Sequence, residues 1–320
     1  MFARFFELPV PVLCSVLGLL CGLLTGLGTY RALRDLELSP GCWPLAFAGL
    51  GLLLVAGFVW GSLAWHAQST PEVRPASGWG DLRLLFHLSL VVLLLIITAT
   101  DLRSYLILIW CCCAGIVIAV TGAVVSGHFQ LVHLWVDWNA EVPQFYGPWT
   151  PRWLSTAPHL HGLAWSLTGM SCGIVLTGVI RGLSAWILGI NALGSGDVWL
   201  MAMVGAYLGW QPVILITLLA PVLALGIGGM ERLLGNRAAL PYGPFLALAT
   251  YLVLSCWRWI WMAEFSLSDE NFRNRARTFA VRRFFGDPWQ MLLIAGLSGG
   301  LLVLLLGLLR LYKSLPSRKA

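Results

Sequence analysis

Charge is scarce in this sequence. Charged residues fill 11% of its 320 positions, against about 25% in an ordinary soluble domain. That shortage excludes a typical water-soluble globule. The eight cysteines form no Cys-x-x-Cys pair, which argues against a zinc or disulfide framework. Cys111, Cys112 and Cys113 are consecutive inside an apolar run, and Cys14, Cys21, Cys172 and Cys256 lie in or beside such runs. They read as small buried hydrophobes. The apolar runs are continuous rather than alternating, which excludes a β-barrel. No cluster of basic and aromatic residues marks a nucleic-acid surface, so no nucleic-acid partner is expected. The opening "MFARFFELPVPVLCSVLGLLCGLLTGLGTY" lacks the pattern of a cleavable signal and reads as a retained first span.

What the sequence has in quantity is hydrophobic length. Hydrophobic residues make up 58% of the chain, and runs of about 18 or more recur, the length that crosses a bilayer core as helix. The expected fold is all-α, a polytopic bundle of eight or nine spans, with lipid as its solvent. The spans are placed at Pro11–Tyr30, Pro44–Trp65, Leu84–Thr100, Tyr105–Val125, Leu163–Ile180, Val198–Trp210, Val213–Met230, Phe245–Met262 and Trp289–Leu309. The sixth is short for a full crossing. Three regions follow: N-terminal spans over 1–83, a membrane core over 84–262, and an interfacial segment with the last span and a basic tail over 263–320.

Three connections stand out. Ser126–His161 is long and holds histidines, tryptophans and a single arginine, Arg152. Arg181–Gly196 is shorter. Ala263–Pro288 is amphipathic and rich in arginine, and predicts an interfacial helix. The formal net charge of +6 is best read as orientation. Arg31, Arg34, Arg103, Arg181, Arg232, Arg237, Arg310, Lys313, Arg318 and Lys319 all fall on one side if nine spans alternate. That side is expected to be cytoplasmic, with the N-terminus outside and the C-terminus inside. The arginines from Arg273 to Arg283 fall on the other side.

Of fourteen acidic residues, most lie in loops or tails. Asp101, in "IITATDLRSYLILIW", and Asp197, in "ALGSGDVWLMAMVGAYLGW", sit directly at the ends of apolar spans. A carboxylate at a membrane edge is costly and calls for a reason. Helix capping is one: Asp accepts hydrogen bonds from free N–H groups and suits the positive end of the helix dipole. As a pair they suggest more. Two carboxylates close enough to share a proton keep one neutral and one ionised, the condition for acid–base attack by water on a carbonyl without metal or cofactor. Gly194 and Gly196 flank Ser195 just before Asp197, where glycine permits close backbone approach. Pro241, Gly243 and Pro244 in "ALPYGPFLALATYL" read as a rigid turn beside that site, or simply as a Pro-rich helix start.

Taken in this order, the motifs resemble those of the type IV prepilin peptidases, membrane aspartic proteases of the GxGD class. "ATDLRSYLI" is similar to the context of that family's first aspartate, "GSGDVWLMAMVGAYLGW" to that of its second, and "LPYGPFLAL" to its later turn. The resemblance implies Asp101 and Asp197 as the catalytic pair, with Gly194, Gly196, Pro241, Gly243 and Pro244 shaping the site. It implies a prepilin or pseudopilin-like membrane precursor as substrate and partner, the bacterial inner membrane as location, and no cofactor. The chain departs from the pattern in three places. Trp199 stands where the family has lysine, and Leu108 where it has proline. Arg31–Trp43 is too short for the cysteine-containing methyltransferase domain of the bifunctional members.

Four other readings stay open. Trp199 and Leu108 suit a catalytically impaired relative acting as a scaffold or assembly factor. A presenilin-like protease fits the two aspartates but not the Leu-Arg after Asp101 or the Pro-Tyr-Gly-Pro turn. A transporter would use the acids as a proton relay. His128, His133, His159 and His161 in the long loop offer metal ligands, though loop histidines and tryptophans more often form an interfacial belt.

Overall fold

The computed structural model describes residues 6–73, 75, 78–136, 153, 156–189, 193–233, 241–267 and 277–314. In chain order it has helices α1 (Val10–Asp35), α2 (Trp43–Ala64), α3 (Trp79–Ser104), α4 (Ile109–Ser126), α5 (Pro158–Leu188), α6 (Ser195–Leu208), α7 (Trp210–Leu233), α8 (Gly243–Ser255) and the short α9 (Trp257–Trp261). Strands β1 (Glu264–Leu267) and β2 (Arg277–Ala280), the short α10 (Val281–Phe284) and α11 (Pro288–Ser314) complete it. The helical membrane architecture expected from the apolar runs is borne out. Among the described residues, six helices, α1 to α5 and the Trp210–Gly228 part of α7, are long and apolar enough to cross a membrane. Arg237, Arg273, Arg275, Arg318 and Lys319, which entered the expected charge pattern, and Arg152 of the long loop lie outside the described residues.

Two local expectations are corrected. The fifth helix does not stop at Ile180. It continues to Leu188, and ends where Gly189 takes a left-handed φ of +71° with its N–H bonded to the Ala185 carbonyl at 3.0 Å. A glycine in that conformation is a common helix stop, and nothing earlier in the run supplies one. Arg181 therefore belongs to a helix and not to a loop. The helix expected over Ala263–Pro288 is instead, in its described residues, an antiparallel ribbon that pairs Glu264 with Ala280 and Leu267 with Arg277. "EFSL" alternates polar and apolar residues, a period of two that suits a strand and not a helix. Glu264 and Arg282 form an ion pair across its base.

Glycine decides which helices touch. Gly18, Gly22 and Gly26 form a row along α1 against α2, and a Cβ on Gly22 would stand 2.7 Å from the Ala48 carbonyl oxygen. Leu19, Leu20, Leu23, Leu24 and Leu27 of α1 are exposed, as suits a face turned to lipid. The contact of α5 with α6 is closer still. A methyl on Gly205 would collide with the carbonyl oxygen of Gly169, one on Gly169 with that of Gly205, and one on Gly173 with that of Met201. Small residues at a four-residue spacing let helix backbones meet in lipid, where no hydrophobic force drives helices together. Ser166 Oγ donates to the Ala206 carbonyl at 2.8 Å across the same seam. Every residue from Leu200 to Leu208 is buried, so α6 is an interior helix despite its 14 residues. α3 is the most enclosed of the six long apolar helices.

One end of the bundle is closed by a hydrogen-bonded cap. Buried Arg83, at the start of α3, donates to the Gln130 carbonyl at 3.3 Å and the Gln68 carbonyl at 3.5 Å. The Leu134 N–H donates to His161 Nε2 at 3.0 Å, Trp210 Nε1 to the Leu134 carbonyl at 2.8 Å, and Gln211 Nε2 to the His133 carbonyl at 3.0 Å. His133 Nε2 donates to the Glu72 carbonyl at 2.9 Å, and His159 Nδ1 to the Val124 carbonyl at 2.7 Å. Three of the four histidines weighed as metal ligands thus spend ring nitrogens on the fold. Trp261 Nε1 donates to the Glu72 carboxylate.

Two tests follow from this packing. Gly205→Ala should cost about 1–3 kcal/mol, the range for overpacking, in denaturant unfolding in detergent. Gly178→Ala, on the same α5 but with open space around it, should cost nothing measurable. Burial holds the Glu72 carboxyl above the ordinary carboxylate range. The folded state therefore keeps that proton more readily than the unfolded chain, and stability falls as pH rises through the folded value. Glu72→Gln should melt above wild type at neutral pH, and the gap should close as pH falls below the ordinary carboxylate range.

Candidate active site

The end of the bundle away from this cap holds both aspartates. Asp101 lies in the last turn of α3. The helix ends at Tyr105, which adopts a left-handed φ of +58° and returns its N–H to the Asp101 carbonyl at 2.9 Å. Positive φ is uncommon in a non-glycine residue, and here it turns the chain so that Ile107 comes back beside the helix end. Asp197 lies in the first turn of α6, and its Oδ2 accepts the Gly194 N–H at 2.8 Å. Both carboxyl groups are nearly closed off, Asp101 at 4% exposure and Asp197 at 6%. They act on each other electrostatically.

Each carboxylate meets the N-terminus of a helix. Asp197 caps its own helix, α6. Asp101 accepts the backbone N–H of Gly243, the first residue of α8. Free N–H groups and the positive end of the dipole favour negative charge at both places. Gly243 has no substitute at this distance, because a Cβ there would collide with Asp101 Oδ2. Pro244 stands in the first turn of α8, where its missing N–H has no helical partner to lose, and Pro241 is buried just before it.

Ile107 joins the two halves. A Cβ on Gly196 would meet Ile107 Cβ at 2.7 Å, and one on Gly243 would meet Ile107 Cδ1 at 3.1 Å. Ile107 thus fills the space between the Gly194–Asp197 turn and the start of α8. The structure therefore gathers Asp101, Asp197, Gly194, Gly196 and Gly243 at one place. It adds three residues that sequence reasoning did not assign to the site: Ile107, Tyr242 and Arg181. Burial and the Asp197 charge push the Tyr242 phenol up to about 12, so it stays a neutral hydrogen-bond donor at physiological pH. Arg181 places its charge where it acts on Asp197. Tyr242 was visible inside the "PYGP" turn, and Arg181 as a cation upstream of "GSGD". Nothing in the sequence points to Ile107.

A buried pair of interacting carboxylates flanked by glycines is the arrangement that the motif resemblance implies. Residues 152–229 match the type IV leader peptidase family. That stretch covers α5, α6 and most of α7, and includes Asp197 but not Asp101. Among curated proteins, the chain is similar to a prepilin leader peptidase/N-methyltransferase of Pseudomonas putida, 28% identical over 120 residues, 37% of this chain and 38% of that protein. It is 34% identical over 107 residues to the protein of that name from Aeromonas hydrophila, covering 29% of this chain and 37% of the relative. With that from Escherichia coli K12 it shares 37% identity over 72 residues, 22% of this chain and 32% of the relative. The chain spans little more than a third of the length of the curated relatives it matches. No solved structure matches it. These matches show the resemblance to the prepilin peptidases that the motifs carry.

The glycine contacts predict two different couplings. Gly196→Ala should cost about 1–3 kcal/mol, and Ile107→Ala should recover most of that cost, because the collision is with Ile107. Gly243→Ala should cost a similar amount and show little coupling to Ile107→Ala, because it collides with Asp101. Double-mutant unfolding cycles that gave equal couplings would contradict this geometry.

Proposed function

We propose that the chain is a membrane aspartic endopeptidase that removes the leader of prepilin or pseudopilin-like precursors at the cytoplasmic border of the bacterial inner membrane. The observation that carries this reading is the pair of buried, interacting carboxylates at two helix N-termini, in a chain similar to prepilin leader peptidases. The arginine distribution supports an N-terminus outside and a C-terminus inside. In this reading 84–262 is the peptidase core, between N-terminal spans over 1–83 and a C-terminal region over 263–320.

The chemistry follows from the pair. Like charges at close range keep one carboxyl protonated while the other is ionised. The ionised member takes a proton from a water, whose oxygen bonds to the scissile carbonyl carbon. The protonated member gives its proton to the carbonyl oxygen, and a tetrahedral diol forms. The proton taken from water then passes to the amide nitrogen, a diol hydroxyl returns its proton to the other carboxylate as the carbonyl re-forms, the C–N bond breaks, and the amine leaves. Gly194 gives the substrate backbone room beside Asp197, while Gly196 makes room for Ile107. Tyr242, neutral and close to Asp197, offers a hydrogen bond to the developing oxyanion. The scaffold reading has one feature in its favour: Trp199, in the place of the family's lysine, is 41% exposed and brings no charge to the pair.

The full-length protein in lipid, incubated with pilin-like precursors, should release their leaders as read by mass spectrometry. Asp101→Asn and Asp197→Asn should each lower the rate by at least about a hundredfold, the lower range for a general acid or base. Cleavage that survives either substitution would refute the two-aspartate mechanism. No cleavage of any precursor by the wild type would favour the scaffold.

A further inference from the structure

The two aspartates have different surroundings. Asp101 receives a backbone N–H from Gly243 and feels the charge of Asp197. Asp197 receives the Gly194 N–H and in addition feels the positive charge of Arg181. Arg181 reaches from the last part of α5 to the turn before α6, where its Nη1 donates to the Leu193 carbonyl at 2.5 Å. The Leu193 carbonyl and the Gly194 N–H belong to one peptide group, so one guanidinium fastens the turn that presents Asp197 and acts on its carboxylate from across that peptide. Among the described residues, the charged and titratable groups that act on or feel Asp197 are Arg181 from α5, Asp101 from α3 and Tyr242 from the turn before α8.

We infer that Arg181 is a positioning residue that holds Asp197 as the ionised member of the pair, which assigns Asp197 as general base and Asp101 as general acid. This rests on the peptidase reading and deepens it. The motif resemblance puts a lysine two residues after the second aspartate, and this chain has Trp199 there. Here the cation comes from a neighbouring helix instead. That is possible because the chain after α5 returns to bring Leu193 within reach of the Arg181 side chain. An arginine suits the task, since its fork bonds a carbonyl with one nitrogen while the delocalised charge still acts on a carboxylate.

The test uses the full-length protein in lipid and two independent readouts. Infrared titration follows the protonated-carboxyl C=O band of the pair, assigned by its loss in the Asp101→Asn/Asp197→Asn double variant. It requires no catalysis. In Arg181→Gln the pH at which the pair takes up its second proton should rise by about one unit, the equivalent of a tenfold change in proton affinity, while Arg181→Lys should stay close to wild type. In leader cleavage, Arg181→Gln should lower kcat about tenfold on the acid side with KM unchanged, and move the acid limb of the rate profile upward by the same amount. An unchanged infrared titration in Arg181→Gln overturns the inference, whatever the activity. Absence of cleavage by the wild type with the infrared shift present would sink the peptidase reading alone. If Arg181→Gln does not fold, Arg181→His replaces it. The infrared titration of that variant should match wild type where imidazole is charged and depart from it where imidazole is neutral, and a match throughout overturns the inference.

Discussion

The backbone contact between α5 and α6 governs the rest of the molecule. Gly169 and Gly205 each sit against the other's carbonyl oxygen, so neither can carry a side chain. In lipid there is little hydrophobic gain from joining two helices, and close backbone packing supplies the attraction instead. That contact seats α6 inside the bundle with Leu200 to Leu208 fully enclosed. A helix held so firmly presents a fixed N-terminus, and Asp197 is in its first turn. The position of one aspartate is therefore set by glycines about two helical turns away. The other is set by α3, the most enclosed of the long helices.

Capping and chemistry turn out to share the same atoms. Asp197 does bond its own helix start through the Gly194 N–H, and Asp101 meets the start of α8 through Gly243. Each cap orients a carboxyl group and leaves an oxygen for other work. Two dipole ends aimed at one place also lower the cost of keeping charge in a closed site. A cap that would be a minor stabiliser at a protein surface becomes, in a buried pair, the means of preorganising it.

The architecture was legible in the sequence because membrane helices announce themselves by apolar length. The aspartates were legible by elimination, since charge is rare enough here that two acids at span ends stand out. Gly243 was legible through its turn motif, though not its reason, which is a three-dimensional collision with Asp101. The ribbon that pairs Glu264–Leu267 with Arg277–Ala280 was missed because an arginine-rich amphipathic stretch suggests a surface helix, while its period of two extends over only four residues a side. Arg181 was taken for an orientation charge because its helix was ended too early. Ile107 carries no signal: an isoleucine beside an apolar run has no distinguishing chemistry, and its role exists only in its contact with two glycines from distant segments.

The shortness of α6 has a consequence for depth. Fourteen residues of helix span about 21 Å at 1.5 Å each, against a hydrocarbon core of about 30 Å. The far end of α6 meets Trp210, which is bonded into the polar cap through the Leu134 carbonyl. α3 makes up the difference: from Arg83 in the same cap to Asp101 it covers about 27 Å of helix. A short helix and a long one thus end together near the far edge of the hydrocarbon, and the turn before α6 supplies the height that its 14 residues lack. A peptide that reaches the pair keeps its scissile bond at that edge.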